Sequence, residues 1–261
     1  MMVKNKDRVQ PKKSLGQNFF INKNLAEKIV QVTTKQHPKT VLEIGGGTGV
    51  FSKLLIQQVK QLIIVEKDDL LVNTLQHEVP TAEVIHADFL QITLDDLPQC
   101  NNNCTIFGSL PYNISKPIIF HIAEHFEPCT ELYTIIQKEV AEKFSQDNNK
   151  IGLLIRNFFT PKILIKSIQP ENFKPKPKVT STFILFTRNT KPVLSNSDYK
   201  LFRQYIQKAF AHPRKKLGNN LKEFELTTKV ANKRAEALNF EEHLAIFRQN
   251  KKSLLEKQPQ N

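Results

Sequence analysis

The chain has 261 residues, carries 38 Lys and Arg against 25 Asp and Glu for a net charge of +13, and is 39% hydrophobic with 18 Phe and no Trp. That length buries a core without metals or disulfides, and no apolar run is long enough to cross a bilayer as a helix. Cys100, Cys104 and Cys129 lack C-x-x-C spacing, and the opening MMVKNKDRVQPKKS has no apolar signal core, so a cytoplasmic protein with free thiols is expected.

In chain order, TVLEIG (40–45), QLIIVEKD (61–68), AEVIHADF (82–89) and CTIFGSL (104–110) read as buried strands. Residues 49–59 and 69–78 between them have helical length and periodicity. ELYTIIQKE and TSTFILFTR look like later strands of the same sheet. Strands alternating with helices predict a parallel α/β sheet, with ligands beyond the carboxyl ends of its strands. After Arg188 the strand signals stop, NTKPVLSNSD reads as a linker, and 197–255 look helical. The expected domains are therefore 1–189 and 190–261, with a frayed tail at KQPQN. No heptads or sticky edge suggest an oligomer, so a monomer is expected.

The basic residues cluster. Lys4, Lys6, Arg8, Lys12, Lys13 and Lys23 face Asp7 alone; five lysines, Lys176 and Lys178 among them, fall within 162–178; and Arg203, Lys208, Arg214, Lys215 and Lys216 follow in the helical part. Each cluster alone fits a solvated face. Three together favour a polyanionic partner, a nucleic acid before a membrane surface.

The chemistry-bearing residues sit at strand ends. EIGGGTG (43–49) joins a strand to a helix, and its G-x-G-x-G spacing differs from the G-x-G-x-x-G of dinucleotide enzymes. Glu66 follows Gly45 by 21 residues at the end of the next strand, where a carboxylate can accept from both ribose hydroxyls of an adenosine cofactor. Asp88, at the third strand end, can accept from an adenine amino group. GSLPYNIS (108–115) closes the fourth strand: Pro111 stiffens the turn, leaving the Leu110 carbonyl and Tyr112 ring to meet a flat base with an exocyclic amine. The rival patterns are thinner. His121, Glu124 and His125 spell H-x-x-E-H, a zinc-peptidase pattern, without an evident third ligand, and no metal is expected. A nicotinamide dehydrogenase would use the glycine loop and Glu66 but leaves GSLPYNIS and the basic charge unexplained.

The blocks KKSLGQNFF, EIGGGTG, VEKD, ADF, GSLPYNIS, QKEVAEKF and NFKPKPKVTS, with AFAHPRKKLGNNLK further on, resemble the ribosomal RNA adenine N6-dimethyltransferases, from about Lys12 to Leu221. The related erythromycin-resistance methyltransferases modify an adenine of large-subunit RNA; L-P-Y leans toward the small-subunit branch. The resemblance implies a Rossmann-like class I methyltransferase sheet with helices on both faces, followed by a small helical domain that docks RNA. It implies S-adenosylmethionine as cofactor and, as substrate, two adjacent adenines near the 3′ end of 16S rRNA in an immature 30S particle. By matching position, Asn18, Phe20, Gly45, Glu66, Asp88 and Ser109 would contact the cofactor. Ser109, Leu110, Pro111 and Tyr112 would form the catalytic turn, with Phe173 sandwiching the target base against Tyr112. Lys12, Lys13, Lys176, Lys178, Arg214, Lys215 and Lys216 would hold RNA phosphates. One position departs: the family usually has Asn where this chain has Ser109. That favours, as the alternative, an rRNA-binding assembly or transcription factor with weakened catalysis.

Overall fold

A computed structural model describes residues 11–12, 16–101 and 104–255. Lys4, Lys6, Arg8, Lys13 and the KQPQN tail lie outside the described residues. The chain forms two compact units, one running through Ala141 and including Lys162–Arg188, the other made of Glu142–Pro161 and the chain from Asn189. Residues 142–161, which the sequence reading grouped with the first domain, thus cluster with the helical one.

The first unit is built on a sheet. A short strand β1 (Phe19–Phe20) precedes helix α1 (Lys23–Thr33), which the Asn22 side chain caps by accepting from Leu25 N–H. Strand β2 (Thr40–Ile44) leads through the glycine loop to α2 (Ser52–Leu55), then β3 (Gln61–Glu66), α3 (Asp69–Glu78), β4 (Glu83–His86), β5 (Cys104–Ser109), α4 (Ser115–His125) and β6 (Cys129–Gln137). After α5 (Lys138–Ser145) and α6 (Lys150–Ile155) come β7 (Phe159–Ile168), β8 (Phe173–Lys174) and β9 (Ser181–Arg188). The large sheet runs β4-β3-β2-β5-β6-β9-β7, while β1 and β8 pair antiparallel on their own.

Two expectations need correction. The sheet is mixed: β2 through β6 are parallel, but β9 is antiparallel to β6, with Gln137 opposite Ser181. A parallel return usually runs through a crossover helix; the segment joining β7 to β9 holds none, only a short 3₁₀ turn and β8. The helix expected over 49–59 contracts to Ser52–Leu55. Gly49 still has φ +79°, and the chain closes a tight turn from Leu55 O to Gln58 N before entering β3.

Phenylalanine supplies the core in place of tryptophan. The rings of Phe173, Phe20, Phe51 and Phe107 follow one another edge-on or tilted, with centroids 4.8–5.2 Å apart. Arg188, at the end of β9, is half-desolvated and donates to the carbonyls of Ile122, Ala123, Phe126 and Cys129, tying that strand to the end of α4.

The second unit, to which α6 and the end of α5 belong, adds α7 (Asn196–Ala209), α8 (Leu217–Asn220), α9 (Thr228–Ala231) and α10 (Phe240–Leu255). Its centre is Phe202 against Phe247, centroids 5.3 Å apart, and Tyr205, whose hydroxyl bonds His243 Nδ1 at 2.8 Å. His243 Nε2 lies 3.0 Å from the Ala235 carbonyl, which only accepts, so the neutral ring donates from Nε2 and accepts at Nδ1. Burial pushes the His243 pKa down to about 4.

Candidate active site

The chain turns back at β2: β3 and β4 add outward on one side, and β5 returns to pair on the other. A crevice opens at such a switch point, outside the carboxyl ends of the strands. Here it is an open cleft of about 840 Å³. Its walls gather residues far apart in the chain: Gly45 after β2, Glu66 ending β3, Asp88 just past β4, Ser109 ending β5, then Leu110, Pro111 and Tyr112, with Asn18 and Phe173 from the β1–β8 segments. The apolar part of the wall comes from Ile44, Val65, Leu71, Ala87, Phe89 and Ile118.

Two glycines are needed for distinct reasons. Gly45 has φ +74°, and a Cβ there would meet nothing within 4 Å, so its backbone faces open cleft. At Gly108 a Cβ would press on Leu110 Cδ2 at 2.7 Å and on the Ile44 carbonyl at 3.1 Å. A side chain at Gly108 would therefore crowd the Ser109–Tyr112 turn where it folds down on the end of β2. The turn is further fixed by Thr134, buried on β6, whose hydroxyl donates to the Gly108 carbonyl at 2.8 Å, and by Leu110 N–H donating to Ile135 O at 3.1 Å.

Glu66 is buried at 6% exposure and tied to three backbone amides: Oε2 accepts from Gly47 at 3.1 Å, and Oε1 from Lys67 at 2.8 Å and Asp68 at 2.9 Å. A carboxylate offers roughly four acceptor positions. One, on Oε2, is left for a further donor. Asp88 accepts from Leu90 N–H through Oδ1 and from the Lys67 ammonium at 2.7 Å through Oδ2; the Lys67 bond holds its carboxyl below the usual range. Glu43, near the end of β2, is fully buried. Burial pushes it up to about 8, the Ser52 hydroxyl opposes the shift and the Glu66 carboxylate adds to it.

The aromatic residues divide unexpectedly. Phe19, not Phe20, lines the cleft. Phe20 points the other way along the strand, is 4% exposed, and reaches only a smaller recess beside the glycine loop. Phe173 also lines the cleft but is 4% exposed, its ring standing at 88° to that of Phe20. Tyr112 lines the cleft, and its hydroxyl lies 2.6 Å from Ser181 Oγ. Burial pushes its phenol pKa up.

The basic residues also divide. Lys12 is ion-paired with Asp68 at 2.8 Å and Asp69 at 3.2 Å. Gln17 donates to the other Asp68 oxygen at 2.9 Å, so Lys12 and Gln17 clamp this segment onto the start of α3. Burial raises the Asp68 pKa, but the Lys12 and Gln17 bonds outweigh it and hold the carboxyl low. Lys176 pairs with Glu171, whereas Lys178, Arg214, Lys215 and Lys216 are exposed, Lys216 reaching Asn232 at 2.9 Å. In H-x-x-E-H, His121 is bonded to the Ile92 carbonyl at 2.8 Å and sits edge-on to Phe89. Among the described residues no group of three or more His, Cys, Asp and Glu is placed to hold a metal.

Gln17, Phe19, Lys67, Phe89 and Ser181 were not singled out from sequence. Lys67 and Phe89 adjoin the acids that were, so the signal was local; Ser181 is 69 residues from its partner and carried none.

The model of the ribosomal RNA adenine dimethylase family matches residues 8–251. The chain belongs to the ribosomal RNA adenine dimethylase family. Its relatives include a ribosomal RNA small subunit methyltransferase A from Chlorobium chlorochromatii strain CaD3, 35% identical over 249 residues that span 92% of this chain and 93% of the relative. The protein of the same name from Francisella tularensis subsp. tularensis strain FSC 198 is 33% identical, covering 82% of this chain and 85% of its own. In fold, this dimethylase-family chain is similar to a dimethyladenosine transferase from Plasmodium falciparum (TM-score 0.75, 17% identity, 90% of this chain and 98% of that one). It is also similar to the 23S rRNA methyltransferase ErmE (TM-score 0.69, 20% identity, 89% and 99%). The seven-stranded sheet with its helices is thus the class I methyltransferase fold.

Proposed function

We propose that the protein methylates N6 of adenines in small-subunit ribosomal RNA, using S-adenosylmethionine. The carrying observation is the convergence of Gly45, Glu66, Asp88, Ser109 and Tyr112 on one cleft at the strand ends. The cleft fits the cofactor. Its backbone is open at Gly45, Glu66 keeps one acceptor position for a hydroxyl, Asp88 is an ionised acceptor further along, and Phe89 and Ala87 offer apolar surface to a flat ring. When bound, S-adenosylmethionine supplies an electrophilic methyl group on a positively charged sulfur.

The chain's own residues act on the adenine. Its N6 lone pair is conjugated with the ring and is a poor nucleophile. Acceptors that hold the amino hydrogens, the Leu110 carbonyl and the Ser109 hydroxyl, help N6 become tetrahedral and aim its lone pair. Positioning and electrostatics then do most of the work, and the displaced proton leaves to solvent without a strong base. A base extruded from its stack would rest on the Tyr112 face, with Phe173 at its other side; stacking contributes about 1–3 kcal/mol per base. Exposed Lys178, Arg214, Lys215 and Lys216 hold phosphates, so binding is salt-sensitive and read mainly from RNA shape. Two adjacent adenines near the 3′ end of 16S rRNA, in an immature 30S particle in the cytoplasm, are the substrate of this reading, with the protein acting as a monomer.

Ser109 favours the second reading, an rRNA-binding assembly factor with weakened catalysis. A hydroxyl is shorter than an amide and accepts only after turning its own proton aside. The test is methyl transfer from labelled S-adenosylmethionine to undermethylated 30S particles, with the modified nucleotide identified by mass. N6,N6-dimethyladenosine in 16S rRNA supports the enzyme. No transfer by the wild type, with transfer by Ser109→Asn, supports the binding factor. Transfer only to 23S rRNA moves the chain to the large-subunit branch.

A further inference from the structure

In the reading above, a base rests on the face of Tyr112, and the hydroxyl of that ring is bonded to β9. The Tyr112 hydroxyl lies 2.6 Å from Oγ of Ser181, the first residue of β9, which is fully buried. In the sheet order β5 and β9 are separated by β6, so the bond reaches across an intervening strand. Ser181 is itself held by strand pairing, with its Cα opposite Gln137, and the neighbouring Thr180 carbonyl accepts from Lys138 N–H at 3.0 Å.

The same stretch of chain carries the other aromatic wall. Phe173 begins the segment that ends at Ser181, and its ring is locked edge-on against Phe20, centroids 5.2 Å apart. Both walls of the cleft mouth are therefore referred to residues 173–181: Phe173 directly, Tyr112 through its hydroxyl. The hydroxyl is engaged and its phenol is pushed up by burial, so the face of Tyr112, not its oxygen, is what the cleft offers.

We propose that Ser181 is a positioning residue for the reaction, holding the Tyr112 ring at the angle and distance at which a flat base stacks. It touches neither substrate nor cofactor and acts only through Tyr112. The inference rests on the adenine-methylating reading above.

The experiment compares wild type, Tyr112→Phe, Ser181→Ala, the double variant and Ser181→Thr in steady-state methyl transfer to undermethylated 30S particles, with the S-adenosylmethionine dissociation constant measured by calorimetry. Removing one neutral hydrogen bond predicts a fall in kcat of roughly 3- to 10-fold for each single variant. Cofactor affinity stays within about twofold, because the bond bears on the base and not on the cofactor. The double variant falls no further than either single, since both remove one bond, and Ser181→Thr recovers the rate by keeping the hydroxyl. Losses that multiply in the double variant overturn the proposal, as does a wild-type rate in Tyr112→Phe, a conservative change that needs no buried repacking. A wild type that transfers no methyl group defeats the functional reading itself, and this one with it, whereas an active wild type with unaffected variants defeats this one alone.

Discussion

Replacing Glu66 by Gln separates what this carboxylate does for the loop from what it does for a ligand. Oε1 holds the amides of Lys67 and Asp68 at 2.8 and 2.9 Å, a pair that the Gln oxygen can keep. The new NH₂ then occupies the Oε2 site, where it meets the Gly47 N–H, formerly 3.1 Å from an acceptor. Two donors face each other, and the one acceptor position left for a ligand hydroxyl is gone. A hydrogen bond to a charged group contributes about 1.5–3 kcal/mol, which is roughly 10- to 150-fold in a dissociation constant. Calorimetric titration with S-adenosylmethionine and with its demethylated product should show that weakening for both ligands, because the hydroxyl is common to them. Asp88→Asn serves as the comparison, since it leaves the glycine loop alone. A change below about twofold, in a variant whose thermal unfolding matches the wild type, would refute the assignment of Glu66 to the cofactor.

Three further outcomes follow from charge and burial. Glu43 has a folded pKa near 8 against an ordinary 4.5, so the stability tied to it is complete below pH 4.5 and lost as pH rises toward 8. Glu43→Gln, which mimics the neutral acid, should therefore be more stable than wild type at pH 7 by up to roughly 3 kcal/mol in urea unfolding; an equal or lower midpoint would contradict the buried neutral carboxyl. His243 shifts the opposite way, from 6.5 to about 4, so its contribution is complete above pH 6.5 and lost as pH falls toward 4. Wild type should lose roughly 2–3 kcal/mol from this group between pH 7 and 4.5, and His243→Gln should flatten that part of the pH profile; an unchanged slope would place the proton elsewhere. Substituting Arg214, Lys215 and Lys216 together by Ala should weaken RNA binding and lower the log–log salt slope by about 2–3, read by filter binding from 50 to 200 mM salt; an unchanged slope would remove these residues from the interface.

Much of the site was legible because its signals are local. A buried strand is a short apolar run, and a strand end is where that run stops, so Gly45, Glu66, Asp88 and Ser109 could be picked out one strand at a time and assembled by the rule that α/β ligands bind at carboxyl ends. The same locality explains α3, whose length and cap residue Asp68 lie side by side in the chain. The apolar spacing over 49–59 was equally local but misleading, since the glycine backbone, not the side-chain period, decides where α2 begins.

Direction and pairing are another matter. β7 alternates with Pro161, Lys162 and Lys166 and has a mixed pattern of burial, so no apolar run announces it. The antiparallel placement of β9 is a matter of its pairing with β6, where Gln137 lies opposite Ser181, and nothing within the strand itself marks that direction. The family resemblance implies Phe20 as a cofactor contact; the pairing of β1 with β8 turns Phe19 to the cleft and Phe20 to the core, because neighbours on a strand face opposite ways. Lys12 reads as a free cation until Asp68, 56 residues on, is found 2.8 Å away. What the sequence by itself determined was the fold class, the strand ends and the identity of the chemical groups, since these depend on neighbours in the chain. Only the tertiary structure decided which face of the strand lines the cleft, which charges are already paired and which serine holds Tyr112, since each depends on groups that folding alone brings within a few ångströms.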